Sequence, residues 1–187
     1  MPLRLPFLLF ALLLALAGCA SQGGPRNSAF NDSASSDYLL GSGDKVRITV
    51  FGQDNLTRAY TVDGGGAVAM PLIGPVKAQG KTLRQFEGLL RARLADGFLR
   101  NPNVSVEVET YRPFFILGEV RNPGQYPYVD GMTVQTAIAI AGGYSPRARH
   151  SPVAITRQVQ GRIIQGKVAA EYPVRPGDTI NVAERLF

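Results

Sequence analysis

The chain of 187 residues holds one cysteine, Cys19, and one histidine, His150. A lone thiol has no partner for a disulfide within the molecule. A lone imidazole, set beside Arg147, Arg149 and Ser151, has no second histidine or free thiol with which to build a zinc site. Glu107 and Glu109 sit two residues apart on one face of an alternating stretch and have the form of a carboxylate pair. Their setting reads as the solvent side of a strand. Glycines cluster at Gly64-Gly65-Gly66 and at Gly142-Gly143, but neither cluster has the lysine of a phosphate-binding loop. The chain contains no Gly-x-Ser-x-Gly elbow. The residue types point away from enzymatic activity, a metal centre and a cofactor.

The chemistry that Cys19 offers is attachment. Arg4 is followed by an apolar run from Leu5 to Ala17, too short to span a bilayer, which takes about 20 apolar residues. Leu16-Ala17-Gly18-Cys19 resembles a bacterial lipobox. That resemblance implies cleavage between Gly18 and Cys19 and a diacylglycerol on the cysteine sulfur. Each buried methylene contributes about 0.8 kcal/mol, so two or three acyl chains give lasting attachment. Loss of Arg4 with the leader leaves 19 basic and 14 acidic side chains, a net +5. Ala20, where an inner-membrane retention signal has aspartate, favours the outer membrane.

Residues 20–37, ASQGGPRNSAFNDSASSD, contain one large apolar residue, Phe30, and read as a tether. Periodic patterns begin after it. Lys45 to Val50 alternates as a half-buried strand behind the turn Gly41-Ser42-Gly43-Asp44. Ala59–Val62 and Ala67–Met70 read as a strand pair joined by Asp63-Gly64-Gly65-Gly66, and Pro71 to Val76 as an irregular edge or short strand. Thr82 with Gln85 has the spacing of a capping box, and Leu83, Phe86, Leu90 and Leu94 give an apolar helical face over 82–95. Arg84, Arg91 and Arg93 on that helix read as a solvated face and not as a nucleic-acid surface.

After Asn101-Pro102-Asn103, Val104, Val106 and Val108 predict another one-sided strand. A strand over Phe114–Val120 follows. Asn122-Pro123-Gly124-Gln125 fits a type II turn with Gly124 at positive φ, and Tyr126–Val129 continues extended. Thr133–Ala141 predicts a short helix stopped by Gly142 and Gly143. Val153–Val159 and Arg162–Ile164 read as a hairpin around Gly161, and Gly177-Asp178 enters a last strand. The Gly-Asp entry repeats Gly43-Asp44, as reuse of one turn device and not as a solenoid.

In series, these segments resemble a known family. Tyr38 to Val50, Val62 to Gly74 with Gly66 and Pro71, the helix entry Gly80-Lys81-Thr82-Leu83, and Asn101 to Val106 are similar to the polysaccharide export domain. Ile116 to Tyr126, with Gly118, Pro123 and Gly124, and Thr133 to Tyr144 are similar to the soluble-ligand-binding β-grasp (SLBB) module that follows it. The resemblance implies an α+β fold, a β-rich export domain followed by a β-grasp-like domain, with few short helices. The expected divisions are 1–18 signal peptide, 19–37 lipidated end and tether, 38–111 export domain, 112–165 SLBB domain, and 166–187 a strand segment packing back on the folded body.

The same resemblance implies an outer-membrane lipoprotein facing the periplasm. Its copies would form a homo-oligomeric ring that passes capsular polysaccharide or exopolysaccharide. The ring would dock on an inner-membrane polysaccharide co-polymerase, with no nucleic-acid partner. Long members of the family cross the outer membrane with a C-terminal amphipathic helix. Here the last strand is followed only by Ala183-Glu184-Arg185-Leu186-Phe187, so the expectation is a collar that relies on a separate outer-membrane β-barrel. The competing readings are a monomeric envelope lipoprotein whose β-grasp module holds a small ligand or peptidoglycan fragment, and an envelope scaffold that binds proteins only.

Overall fold

Alternation of side chains along Lys45–Val50 (β1) buries Val46, Ile48 and Val50 and leaves Lys45 and Arg47 in water. In the computed structural model, which describes residues 37–159 and 161–185, this strand is the centre of a three-stranded antiparallel sheet. Arg58–Thr61 (β2) flanks it on one side, with Val46 opposite Tyr60. The signal segment, Cys19 and the tether up to residue 36 lie outside the described residues.

Ala67–Met70 (β3) does not pair with β2, which corrects the expected hairpin. The turn between them forms: the Gly66 N–H donates to the Asp63 carbonyl, and the Ala67 N–H to Asp63 Oδ1 at 2.8 Å. Beyond it the strands part. The Gly66 carbonyl accepts from the N–H groups of Ala78 and Gln79, and β3 pairs instead with Gly74–Lys77 (β4), Val68 opposite Val76. Gly66 has φ +75°, and a Cβ there would run into the Gln79 side chain, so glycine is required twice over. Pro71 and Leu72 form the exposed tip of this second hairpin, with Leu72 itself at φ +73°.

Leu83–Ala95 (α1) has the capping box read from Thr82 and Gln85: the Thr82 N–H donates to Gln85 Oε1 and the Gln85 N–H to Thr82 Oγ1. Phe86, Leu90 and Leu94 are wholly buried against Val46, Ile48, Val68, Val76, Val104 and Val106, each stabilising by about 1.5–3 kcal/mol. Val104–Thr110 (β5) completes the first sheet beside β1.

Three residues, Tyr111-Arg112-Pro113, separate β5 from Phe114–Gly118 (β6) and a second core. That core lies under a five-stranded sheet. Its members are β6, Gly124–Tyr126 (β7), Val153–Val159 (β8), Arg162–Val168 (β9) and Thr179–Val182 (β10), in the order β7-β6-β10-β8-β9. Val134–Ile140 (α2) shares the core through Val134, Ala137 and Ile138, and ends at Gly142 and Gly143, φ +83° and +89°. The segment 166–187, set apart in the sequence reading, supplies β10. This strand runs parallel to β6 and antiparallel to β8, with Ile180 between Ile116 and Ile155, so it is the middle of the second sheet.

Pro123-Gly124 is not a type II turn with glycine in the left-handed region. Gly124 has no positive φ and begins β7 opposite Ile116. The left-handed glycine beside this strand pair is Gly118 at the end of β6, φ +85°, where a Cβ would run into the Val182 carbonyl. The close approach of β10 to the end of β6 needs the bare backbone. The whole is an α+β arrangement, β-rich, with two short helices among the described residues and a β-grasp-like second unit.

Candidate functional site

The two Gly-Asp turns are the same object built twice. In the first, the Asp44 N–H donates to the Gly41 carbonyl at 3.1 Å, and Asp44 Oδ2 accepts from the Gly41 N–H at 2.7 Å. In the second, the Asp178 N–H donates to the Arg175 carbonyl at 3.1 Å, and Asp178 Oδ2 accepts from the Arg175 N–H at 2.8 Å. The third residue of each is a glycine at positive φ, Gly43 at +92° and Gly177 at +85°, as a turn of this hand demands.

Both carboxylates are fully buried, and each holds a guanidinium far away in the sequence. Arg157, on β8, donates from Nε to Asp178 Oδ1 at 2.8 Å and from Nη2 to Oδ2 at 2.7 Å. Its Nη2 also reaches the Pro173 carbonyl at 2.9 Å, and it lies over the Tyr172 ring. Burial works against its charge, but the bond and charge of Asp178 outweigh that and hold Arg157 above the usual guanidinium range. Arg112, in the connection between the units, donates its backbone N–H to Asp44 Oδ1 at 2.9 Å and Nη1 to Oδ2 at 3.0 Å.

Arg112 is also where the two turns meet. A Cβ on Gly41 would run into its guanidinium, and one on Gly177 would lie 2.8 Å from its Nε. The Gly177 N–H donates to the Pro113 carbonyl at 3.0 Å, and the Phe115 N–H to the Asp178 carbonyl at 2.9 Å. Tyr38 closes the cluster. Its hydroxyl donates to Asp44 Oδ2 and accepts from Arg112 Nη1 at 2.8 Å. Burial, then the hydrogen bond and charge of Asp44, push the Tyr38 phenol far up, against the lowering effect of Arg112. The rings of Tyr38, Tyr111 and Tyr128 meet edge to face at 5.0 and 5.2 Å and run from the first unit to the second.

Around this cluster opens a cleft of about 330 Å³, walled on one side by Tyr38, Ser42 and Gln79 and on the other by Arg157, Gln158 and Arg175, with Arg112 between. Burial and the neighbouring charge of Arg157 hold Arg175 below the usual guanidinium range. None of these arginines was singled out in the sequence. The signal that was available is the need of each buried aspartate for a cation.

The other candidates stand apart from the cleft. Gly66 and Pro71 belong to the β3–β4 hairpin, and Gly118, Pro123, Gly124, Gly142 and Gly143 to the turns of the second unit. The Arg121 N–H donates to the Gly143 carbonyl at 3.0 Å and the Asn122 N–H to the Ala141 carbonyl at 3.0 Å, which ties two of those turns together. His150 stacks on Tyr144 with centroids 4.4 Å apart. Glu109 pairs with Arg47 at 3.2 Å on the surface, and Glu107 is exposed. Arg91 pairs with Glu87 along α1 at 2.6 Å, and Arg84 and Arg93 are exposed. Among the described residues no helix is long and apolar enough to cross a membrane.

The two units overlap two family models, with β10 of the second unit lying beyond its match. The model described as polysaccharide biosynthesis/export protein matches residues 32–109, and the SLBB domain model matches 113–169. This chain belongs to the polysaccharide export family. Similar relatives are the exopolysaccharide production protein ExoF of Rhizobium meliloti (strain 1021), 29% identical over 95% of this chain and 46% of the relative, and the polysialic acid transport protein KpsD of Escherichia coli, 28% identical over 80% of this chain and 28% of the relative. The chain spans less than half the length of these curated relatives. Within the polysaccharide export pattern, Arg112 falls in the three residues between the two matches, so the residue that joins the twin turns belongs to neither.

Proposed function

We propose that this protein is a non-catalytic envelope component of polysaccharide export. The observation that carries the reading is the serial order: an export unit, three linking residues, then an SLBB unit, aligned with ExoF over 95% of the chain. Each unit has its own apolar core, and the cluster around Arg112 ties them together. A stiff two-unit body suits a part that is repeated around a passage and must keep its shape while a polymer moves through. The protein acts by conduction: copies form a periplasm-facing ring, held to the outer membrane through lipid on Cys19, and capsular or exopolysaccharide passes along it from an inner-membrane co-polymerase. The lipobox Leu16-Ala17-Gly18-Cys19 supports the anchor, and the polymers named for ExoF and KpsD support the cargo.

The test is a strain lacking the protein, complemented with the wild type or with Cys19→Ser. Surface and secreted polysaccharide should fall on deletion, return with the wild type and return poorly with the serine variant. Unchanged polymer output in the deletion strain overturns the reading. Electron micrographs of the detergent-purified lipoprotein should show rings, and a uniform population of monomers refutes the assembly.

A further inference from the structure

We propose that the cleft between the two units is a binding site for a carboxylated sugar residue. The carboxylate would lie against Arg112 and Arg175, and the sugar hydroxyls against Ser42 and Gln158. The class of ligand rests on the export reading, while the preference for an anion rests on the geometry.

Three arginines from three segments line this cleft, and no aspartate or glutamate among the described residues does. Asp44 and Asp178 are buried behind it with no exposure and Arg157 is nearly as buried, so Arg112 and Arg175 are the cations that the cleft presents. Arg112 and Arg157 are already oriented, each by a carboxylate and a tyrosine, so little side-chain freedom remains to be lost on binding. Burial and the charge of Arg157 both work against the Arg175 cation, and an anion in the cleft would offset that repulsion. The remaining polar lining, Ser42, Gln79 and Gln158, is neutral and suits hydroxyl groups. At about 330 Å³ the space is at the small end of ligand sites and takes one sugar residue of a chain, not a coil.

The experiment is calorimetric titration of the detergent-solubilised lipoprotein with glucuronate, glucose, inorganic phosphate and a triuronate blocked at its reducing end. Glucuronate should bind at least about tenfold more tightly than glucose or phosphate. Arg175→Gln should weaken it at least about tenfold while its urea midpoint stays close to wild type, and Arg91→Gln on the outer face of α1 should change nothing. Triuronate binding as tight as glucuronate assigns the site to the polymer; binding of the monosaccharide alone assigns it to a free sugar acid. Equal binding of glucose and glucuronate overturns the proposal. So does phosphate binding as tight as glucuronate, or an Arg175→Gln variant that binds as the wild type does. These results leave the export reading untouched, since that reading fails only on polymer output in the deletion strain.

Discussion

Replacing Asp178 with asparagine removes one charge from a site that water does not reach. The Arg157 and Asp178 side chains are 4% and 1% exposed, and the pair is bidentate at 2.8 and 2.7 Å. The carbonyl oxygen of the substituted side chain can still accept from the Arg175 N–H, but its amide nitrogen then faces the Arg157 guanidinium, donor against donor. Two charge-assisted bonds at about 1.5–3 kcal/mol each set the scale. Breaking a buried pair from one side costs about 3–5 kcal/mol, because the other charge is left uncompensated. Stabilities run to roughly 0.05–0.15 kcal/mol per residue, so this is a large share of what the second unit has.

With a urea slope of about 1–3 kcal/mol per molar, the midpoint should fall by about 1–5 M. The chain has no tryptophan, so circular dichroism and tyrosine fluorescence are the probes. Asp44→Asn should cost less, about 1–3 kcal/mol, because the Arg112 side chain is 25% exposed and water can take up part of its charge. A cycle with Arg157→Gln isolates the pair, and its coupling energy should reach about 2 kcal/mol or more. A loss below about 1 kcal/mol for Asp178→Asn, with no coupling to Arg157, would refute the argument that this turn is held by its arginine.

Two glycines separate backbone demand from spacing: Gly118→Ala should cost more than about 2 kcal/mol, being at φ +85° against the Val182 carbonyl, while Gly124→Ala, with only the edge of Tyr126 at 4.0 Å, should cost under about 1 kcal/mol in the same melts. Leu72→Gly should be neutral or stabilise by up to about 1 kcal/mol, since it relieves φ +73° at a side chain 54% exposed; a loss above that size would mean the leucine is held by packing. Burial first, aided by nearby carboxylates at Tyr38, Tyr111 and Tyr128, holds these phenols and that of Tyr144 above the ordinary value of 10.0. Above about pH 10 the unfolded chain therefore loses protons that the folded chain keeps, and stability must fall as pH rises further. Urea midpoints that hold steady or rise from about pH 10 to 11 would contradict this.

Local patterns were legible because one-sided burial leaves a period. The alternation Lys45–Val50 and Val104–Val108, the capping box of Thr82 with Gln85, the stop at Gly142-Gly143 and the repeated Gly-Asp entry all follow from neighbours within a few residues. The order of the two units was legible for the same reason, since each has its own run of turns and strands. Pairing was not. Ala59 to Val62 and Ala67 to Met70 are both extended, yet alternation says which face is dry and not which strand lies alongside, and β3 chose β4. Gly124 follows a proline as a turn glycine would, but its φ is set by its place opposite Ile116, and the left-handed position fell to Gly118 because β10 passes there.

The arginines were hidden most completely. Arg112 is 68 residues from Asp44 and Arg157 is 21 from Asp178, and charge pairing of that range leaves no period in a sequence. By itself the chain determined two β-rich units, their order and the twin turns. Only the tertiary structure brought those turns together around Arg112 and opened a cationic cleft beside them, because both depend on contacts between residues that the backbone keeps far apart until it folds.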